Sequence, residues 1–312
     1  MSVTRFLVTG LGAATLAACS GGEPAETEAN TPAPTETAAQ DTGATEQAAP
    51  ETVMNGVATL ADAVAGSWRS EDRSVRDTWR NPVETLEFFQ IDPSSTVIEI
   101  SPGGGWYTDI LAPWIAGNGG TYIAAHFSAD STSEYRQRSR NGFIERYADT
   151  QRFGEVVMTG FDQESGPLVE AGTADAVLSF RNVHNWMGGS YAEKAFADFY
   201  AALRPGGLLG IVEHRLPSTR EQDPRAQSGY VQEDYVIALA AEAGFELVER
   251  SEINANPADT ADHPFGVWTL PPVRRSAGRG EEQAADFDRA GYDAIGESDR
   301  MTLLFRKPES AE

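Results

Sequence analysis

The sequence predicts an α/β fold, a parallel sheet wound with helices on both faces. Two observations carry that expectation. Short β-branched runs, each enough for one buried strand, alternate with longer apolar stretches at helical spacing. The first of those runs leads directly into a glycine-rich turn, Ser101-Pro102-Gly103-Gly104-Gly105, that opens a helix.

The elements follow in order. Between Thr59 and Phe89 the apolar residues Leu60, Val64, Trp68, Val75, Trp79, Leu86 and Phe89 recur at helical spacing, and Pro82 suits the first turn of a second helix. This stretch also carries Arg69, Arg73, Arg76, Asp77 and Arg80. They read as a solvated face with an Arg73–Asp77 pair at i,i+4, or as arginines over a pocket for an acidic substrate. Thr96–Ile100 is the first strand, and the helix after the loop contains Trp106, Ile110, Leu111, Trp114 and Ile115 before Gly119-Gly120 ends it. Thr121–Phe127, Glu155–Met158 and Ala174–Phe180 are the next three strands. A helix over Ala192–Leu203 and the turn Arg204-Pro205-Gly206-Gly207 lead to a fifth, Leu208–Glu213. A helix over Glu233–Ala243 stops at Gly244, a C′ glycine, before strands at Phe245–Ser251 and Arg300–Lys307. Residues 271–297, rich in Arg, Gly and Glu, read as an exposed insertion.

Charge and cysteine usage exclude several classes. The 312 residues carry a formal net charge of −23, with 47 acids against 24 bases. Phosphate backbones require a basic footprint, so the reading includes no nucleic-acid partner. A single cysteine, Cys19, excludes an intramolecular disulfide framework and a Cys-based zinc finger. Residues 1–60 carry −6, seven acids against Arg5, which leaves −17 on the rest. The folded part is acidic in its own right, which points to a cationic or neutral small-molecule acceptor rather than an anionic one.

The N-terminus has the form of an export signal. Arg5 precedes a short apolar run from Phe6 to Thr15, which ends at Leu16-Ala17-Ala18-Cys19. That end resembles the lipobox of bacterial lipoproteins. The resemblance implies a signal peptide over 1–18, lipidation of Cys19, and a membrane-anchored protein whose folded domain is periplasmic. Residues 19–56 are dominated by Ala, Thr, Pro and Glu and contain no Lys or Arg, as a disordered acidic tether would.

The acid on the first strand gives the glycine loop its context. Glu99-x-Ser101-x-Gly103-x-Gly105 resembles motif I of the class I S-adenosylmethionine-dependent methyltransferases. Asp175-Ala176-Val177-Leu178 resembles their fourth strand, and Leu203-Arg204-Pro205-Gly206-Gly207 the turn before the fifth. The stretches Arg76–Pro82, Ser101–Thr108 and Ser298–Pro308 are similar to those of a family of exported bacterial proteins described as predicted methyltransferases. The resemblance implies a Rossmann-like doubly wound sheet, mostly parallel with an antiparallel last strand. Helices over 57–91 would pack on a methyltransferase-like domain over 92–308.

It also implies S-adenosylmethionine as cofactor. Glu99, Ser101, Gly103 and Gly105 would line its amino-acid moiety, and Phe161 and Asp162 would lie near the adenine. Ser101 replaces the first glycine, which a negative φ accommodates. The second strand ends Ala124-Ala125-His126-Phe127 where an acid for the ribose is expected, so His126, or Asp130 beyond it, must serve. His184 and His214 fall at the carboxyl ends of the fourth and fifth strands. They read as acid/base or acceptor-orienting groups with Trp186 as a flat wall, or as histidines that only fix loops. No short ligand spacing among His126, His184 and His214 supports a metal, and no G-x-S-x-G elbow is present. Two functions remain: a methyltransferase acting on a small molecule or envelope component, and a non-catalytic lipoprotein that uses the same fold to bind a ligand or partner.

Overall fold

The structure, a computed structural model, describes residues 57–309. The export signal, Cys19 and the acidic tether lie outside the described residues. Eight strands form one sheet: β1 (Thr96–Ile100), β2 (Thr121–His126), β3 (Val156–Gly160), β4 (Ala174–Phe180), β5 (Leu203–Leu216), β6 (Val231–Gln232), β7 (Glu246–Ser251) and β8 (Arg300–Arg306). Their order is β3-β2-β1-β4-β5-β8-β7, with β6 pairing the end of β5. All pairs are parallel except those of β8, which runs antiparallel to both β5 and β7. This is the doubly wound sheet with an antiparallel last strand that the sequence predicts.

Side-chain alternation along the strands builds the two layers. On β1, Val97 faces the core shared with Leu86, Phe89 and Leu111, whereas Ile98 and Ile100 face the core shared with Phe196, Phe199 and Val236. The helices Pro82–Phe88 and Thr108–Gly117 therefore cover one face, and Ala192–Ala202 and Glu233–Glu242 the other. Leu86 and Phe89 are fully buried. At ~1.5–3 kcal/mol for each such side chain, they hold the N-terminal helices firmly on the sheet.

Four features differ from expectation. A helix over Glu134–Arg146 follows β2, capped by Ser133; only Phe143 on it is buried, so the sequence has no apolar stripe to reveal it. The two-residue β6 is too short to show in the sequence. The insertion is exposed in its middle, but Val273 near its start walls the central cavity and Glu297 at its end is buried. Arg73 does not pair with Asp77. Asp77 is held in a two-pronged pair by Arg69 at 2.6 and 2.8 Å, and Arg73 turns inward to Asp109 at 2.8 Å.

Candidate active site

The strand order reverses between β1 and β4, whose chains wind away in opposite directions. The crevice at their carboxyl ends is where such sheets bind ligands. A cavity of about 450 Å³ lies there, and Glu99, Ser101, Gly103, His184 and His214 all line it. A second cavity of about 600 Å³, at the ends of β2 and β3, is lined by Asp130 and Asp162.

The glycine loop is pinned from three sides. Arg73 donates to the carbonyls of Gly104 and Gly105 at 2.6 and 2.9 Å, and Asn182 donates to that of Ile100 at 3.1 Å. His126 supplies the third contact. The Phe127 N–H donates to its Nδ1 at 2.8 Å, so its Nε2 carries the proton and faces the Gly103 carbonyl at 3.3 Å. Burial holds the His126 ring below the usual imidazole range, as this neutral tautomer requires. With both nitrogens engaged and its ring lining neither cavity, His126 steadies the loop, whereas Asp130 lines the second cavity.

The loop backbone is left-handed at Gly103 (φ 59°) and Gly105 (φ 79°), and also at Ser101 (φ 49°). The negative φ that would accommodate a serine is not met, so Ser101 carries the strain that a glycine would avoid. Gly105 does not reach the cavity, because a Cβ there would sit 2.0 Å from the Tyr147 hydroxyl. A Cβ at Gly103 would meet nothing within 4 Å. The N–H groups of Gly103 and Gly104 donate to no backbone carbonyl among the described residues.

Glu99 is buried against the same loop. Its Oε2 accepts from Tyr122 at 2.5 Å and Thr108 at 2.9 Å, while Oε1 has no partner among the described residues. Burial pushes the carboxyl up to about 7 in spite of those two bonds. It is a buried acid at the cavity wall with no salt-bridge partner among the described residues, and Arg181 offsets its burial only in small part.

On the opposite wall, Glu213 lies fully buried on β5 and orients His184, at the start of the helix Val183–Gly188. It accepts from His184 Nδ1 at 3.0 Å and from the His184 N–H at 3.3 Å. The Nδ1 proton leaves Nε2 with the free lone pair, the tautomer a base requires. His214 stands 5.4 Å away between ring centroids, with its Nδ1 2.5 Å from the Ser298 hydroxyl. Burial, then His184 and Arg181, hold it well below the usual imidazole range, so it is neutral. His184, Glu213 and His214 each present a ligand atom within 4.8 Å of the others, but the first two already satisfy each other and guanidiniums crowd the third.

Trp186 is not a wall of this site. It is 1% exposed and packs edge-on against Phe161 and Phe199 in the core, which also takes Phe161 away from the second cavity. Trp106 and Trp268 line the central cavity instead. Asp162 faces the second cavity; burial opposes its ionisation, but the Ser128 hydroxyl, the Glu164 N–H and Arg136 hold it below the usual range.

Of the two readings of the N-terminal arginines, arginines over a pocket is the one that fits Arg76 and Arg80, and Arg181 and Arg300 join them without any signal in the sequence. Arg76, Arg80 and Arg181 line the central cavity, and Arg76, Arg80 and Arg300 share Glu297 at 2.6, 2.9 and 3.2 Å. The acidity of the whole chain therefore stops at the cavity, which is basic on this side. That removes the ground for expecting a cationic or neutral acceptor.

No protein-family model matches the chain, and no curated protein does. Solved structures do match. A protein from Galdieria sulphuraria, described provisionally as a sarcosine dimethylglycine methyltransferase, is 14% identical over 76% of this chain and 86% of its own, with a TM-score of 0.50. An S-adenosylmethionine-dependent methyltransferase from Aquifex aeolicus is 16% identical over 63% of this chain and 93% of its own, with a TM-score of 0.46. At these identities the likeness is one of fold. The chain has the Rossmann-like fold of the class I S-adenosylmethionine-dependent methyltransferases.

The residues present fit the amino-acid half of that cofactor. Glu99 could hold an ammonium with its buried carboxyl, and the N–H groups of Gly103 and Gly104, which have no backbone acceptor among the described residues, could hold a carboxylate. Beyond it, the second cavity offers Ser128, Ser131 and Asp130, which could hold the ribose hydroxyls, and no carboxylate on the second strand itself.

Proposed function

We propose that the chain is an S-adenosylmethionine-dependent methyltransferase acting on a small acceptor. One observation carries the reading: a single cavity joins the glycine loop and Glu99 to the His184–Glu213 pair. When bound, the cofactor would supply a sulfonium-activated methyl group. Glu99 would hold its ammonium and the Gly103 and Gly104 N–H groups its carboxylate, which fixes one reactant. His184, with Nδ1 committed to Glu213, would take a proton at Nε2 from an acceptor that must lose one. Neutral His214, set by Ser298, would orient the acceptor through a hydrogen bond.

Calorimetric titration of the full chain with S-adenosylmethionine and S-adenosylhomocysteine tests this. Saturable heat is expected, and its absence at millimolar ligand would overturn the reading. A Gly103→Arg side chain would project into the cavity and should abolish the heat; retention would move the site elsewhere. The second reading, a lipoprotein that binds a ligand without transfer, is favoured by one feature: His126 occupies the strand end without facing either cavity.

We infer further, from the sequence around Cys19, that the protein is exported and lipid-anchored to a bacterial envelope, where an envelope component is within reach as acceptor. Several acyl chains would make the anchor stable. Cys19→Ala should move the protein to the soluble fraction, and continued sedimentation with membranes would sink the inference.

A further inference from the structure

We propose that the acceptor carries an oxyanion, a carboxylate or a phosphate, gripped by Arg76, Arg80 and Arg181 beside the two histidines. The proposal rests on the methyltransferase reading for the word acceptor, but not for the grip itself.

Arg80 is the strongest witness. It is 1% exposed, and its Nε is spent on Glu297. Both terminal nitrogens are buried without a hydrogen-bond partner among the described residues, although the residue lines the cavity. The Trp106 ring lies 4.6 Å below its guanidinium carbon and takes part of the charge, but accepts no in-plane hydrogen bond. The four N–H donors left on its terminal nitrogens, held in a fixed fork, match an oxyanion that is not otherwise supplied.

Arg181 adds a second cation at the end of β4. Its backbone is left-handed (φ 64°), and its side chain makes no hydrogen bond among the described residues. Arg76 contributes a third, bound to Glu297 through Nε alone. Arg300 stands behind them, paired to the same carboxylate. Glu297 is thus one counterion for a cluster of four guanidiniums. Burial alone would raise its pKa, but these arginines together hold it at about 2. Such an imbalance is costly in a buried site, and a fork-bound oxyanion removes it.

The cavity is therefore polarised. Glu99 suits an ammonium, and Arg76, Arg80 and Arg181 around Glu297 suit an anion, with Arg73 committed to Asp109 and the glycine loop. A ligand pair with opposite charges would be oriented by this field before any hydrogen bond closed. The −17 on the folded part works against large polyanions, so the fit is to a small molecule.

The test is calorimetry on the full chain with inorganic phosphate and, separately, acetate at fixed ionic strength, each with and without S-adenosylhomocysteine. One saturable site is expected, indifferent to the cofactor product, and the tighter probe identifies the acceptor's group. Arg181→Gln, which removes a side chain with no hydrogen bond to lose, should weaken binding by at least about tenfold. Arg80→Gln should do the same, with circular dichroism to verify its fold. The proposal falls if neither probe binds or if both variants bind as wild type. It also falls if S-adenosylhomocysteine competes, because the arginines would then hold the cofactor's own carboxylate. Anion binding without any binding of S-adenosylhomocysteine would sink the methyltransferase reading and leave the grip standing.

Discussion

Glu297 is the residue whose removal should be felt most, and its magnitude follows from the structure. Its side chain is 4% exposed and meets Arg76, Arg80 and Arg300 at 2.6, 2.9 and 3.2 Å. Burial opposes its charge, yet the arginines hold its pKa at about 2 against an ordinary 4.5. A depressed acid contributes stability above its unfolded pKa and loses it as pH falls through the folded one. For this shift the contribution is about 3 kcal/mol at pH 7. Breaking a buried ion pair from one side costs ~3–5 kcal/mol, which agrees. Glu297→Gln should therefore lower the urea unfolding free energy, followed by tryptophan fluorescence, by about 3 kcal/mol at pH 7. At pH ~3.5 the gap should shrink to about 2 kcal/mol, since the wild-type acid is by then losing its advantage. A gap below about 1 kcal/mol at pH 7, or one that widens on acidification, would refute the claim that Glu297 is the counterion of the cluster.

Two further substitutions probe the loop. Gly105→Ala places a methyl 2.0 Å from the Tyr147 hydroxyl at φ 79°, displacing a group whose one proton lies within reach of both Asp109 and the Gly105 carbonyl, 2.7 Å from each. The expected loss is about 3 kcal/mol in urea unfolding, and a loss under about 1 kcal/mol would mean the loop relaxes freely. Ser101→Gly should instead raise stability by about 0.5–1 kcal/mol, the relief of a left-handed serine less the entropy of a new glycine. A drop in melting temperature would show that the Ser101 side chain makes a contact worth more than its strain.

The sequence exposed the fold well because the strands that make it are buried on both faces. Continuous runs such as Val97-Ile98 and Ala176-Val177-Leu178 are visible without knowing their neighbours. The loop and the two histidines were legible for a related reason: they sit at strand ends, where chain position fixes spatial position. Partners that depend on side-chain direction were not. Trp186 and Trp268 are both tryptophans near the site, and only packing tells which one faces the cavity. Glu297 meets Arg80 across 217 positions of sequence, and no local pattern predicts such a meeting. Glu213 was visible beside His214, but strand alternation and the approach of a separate helix decide that it serves His184.

The arginines explain why charge arithmetic does not decide the acceptor's charge. Net charge governs the field at distances beyond a screening length, about 8 Å at physiological salt. A ligand inside the cavity is within contact distance of particular groups, and there the folded chain's sum of −17 is irrelevant. The segment from Arg69 to Arg80 makes the difference. Its four arginines read either as a solvated helix face or as arginines over a pocket; Arg69 folds onto Asp77, Arg73 clamps Asp109 and the glycine loop, and Arg76 and Arg80 line the cavity. The N-terminal helices are thus part of the site rather than a cover over it. One arginine sets the shape of the loop that would hold a cofactor, and its neighbours a turn or two later set the charge that would meet the acceptor. A change that loosened these helices from the sheet would therefore disturb both halves of the site together, without touching any strand.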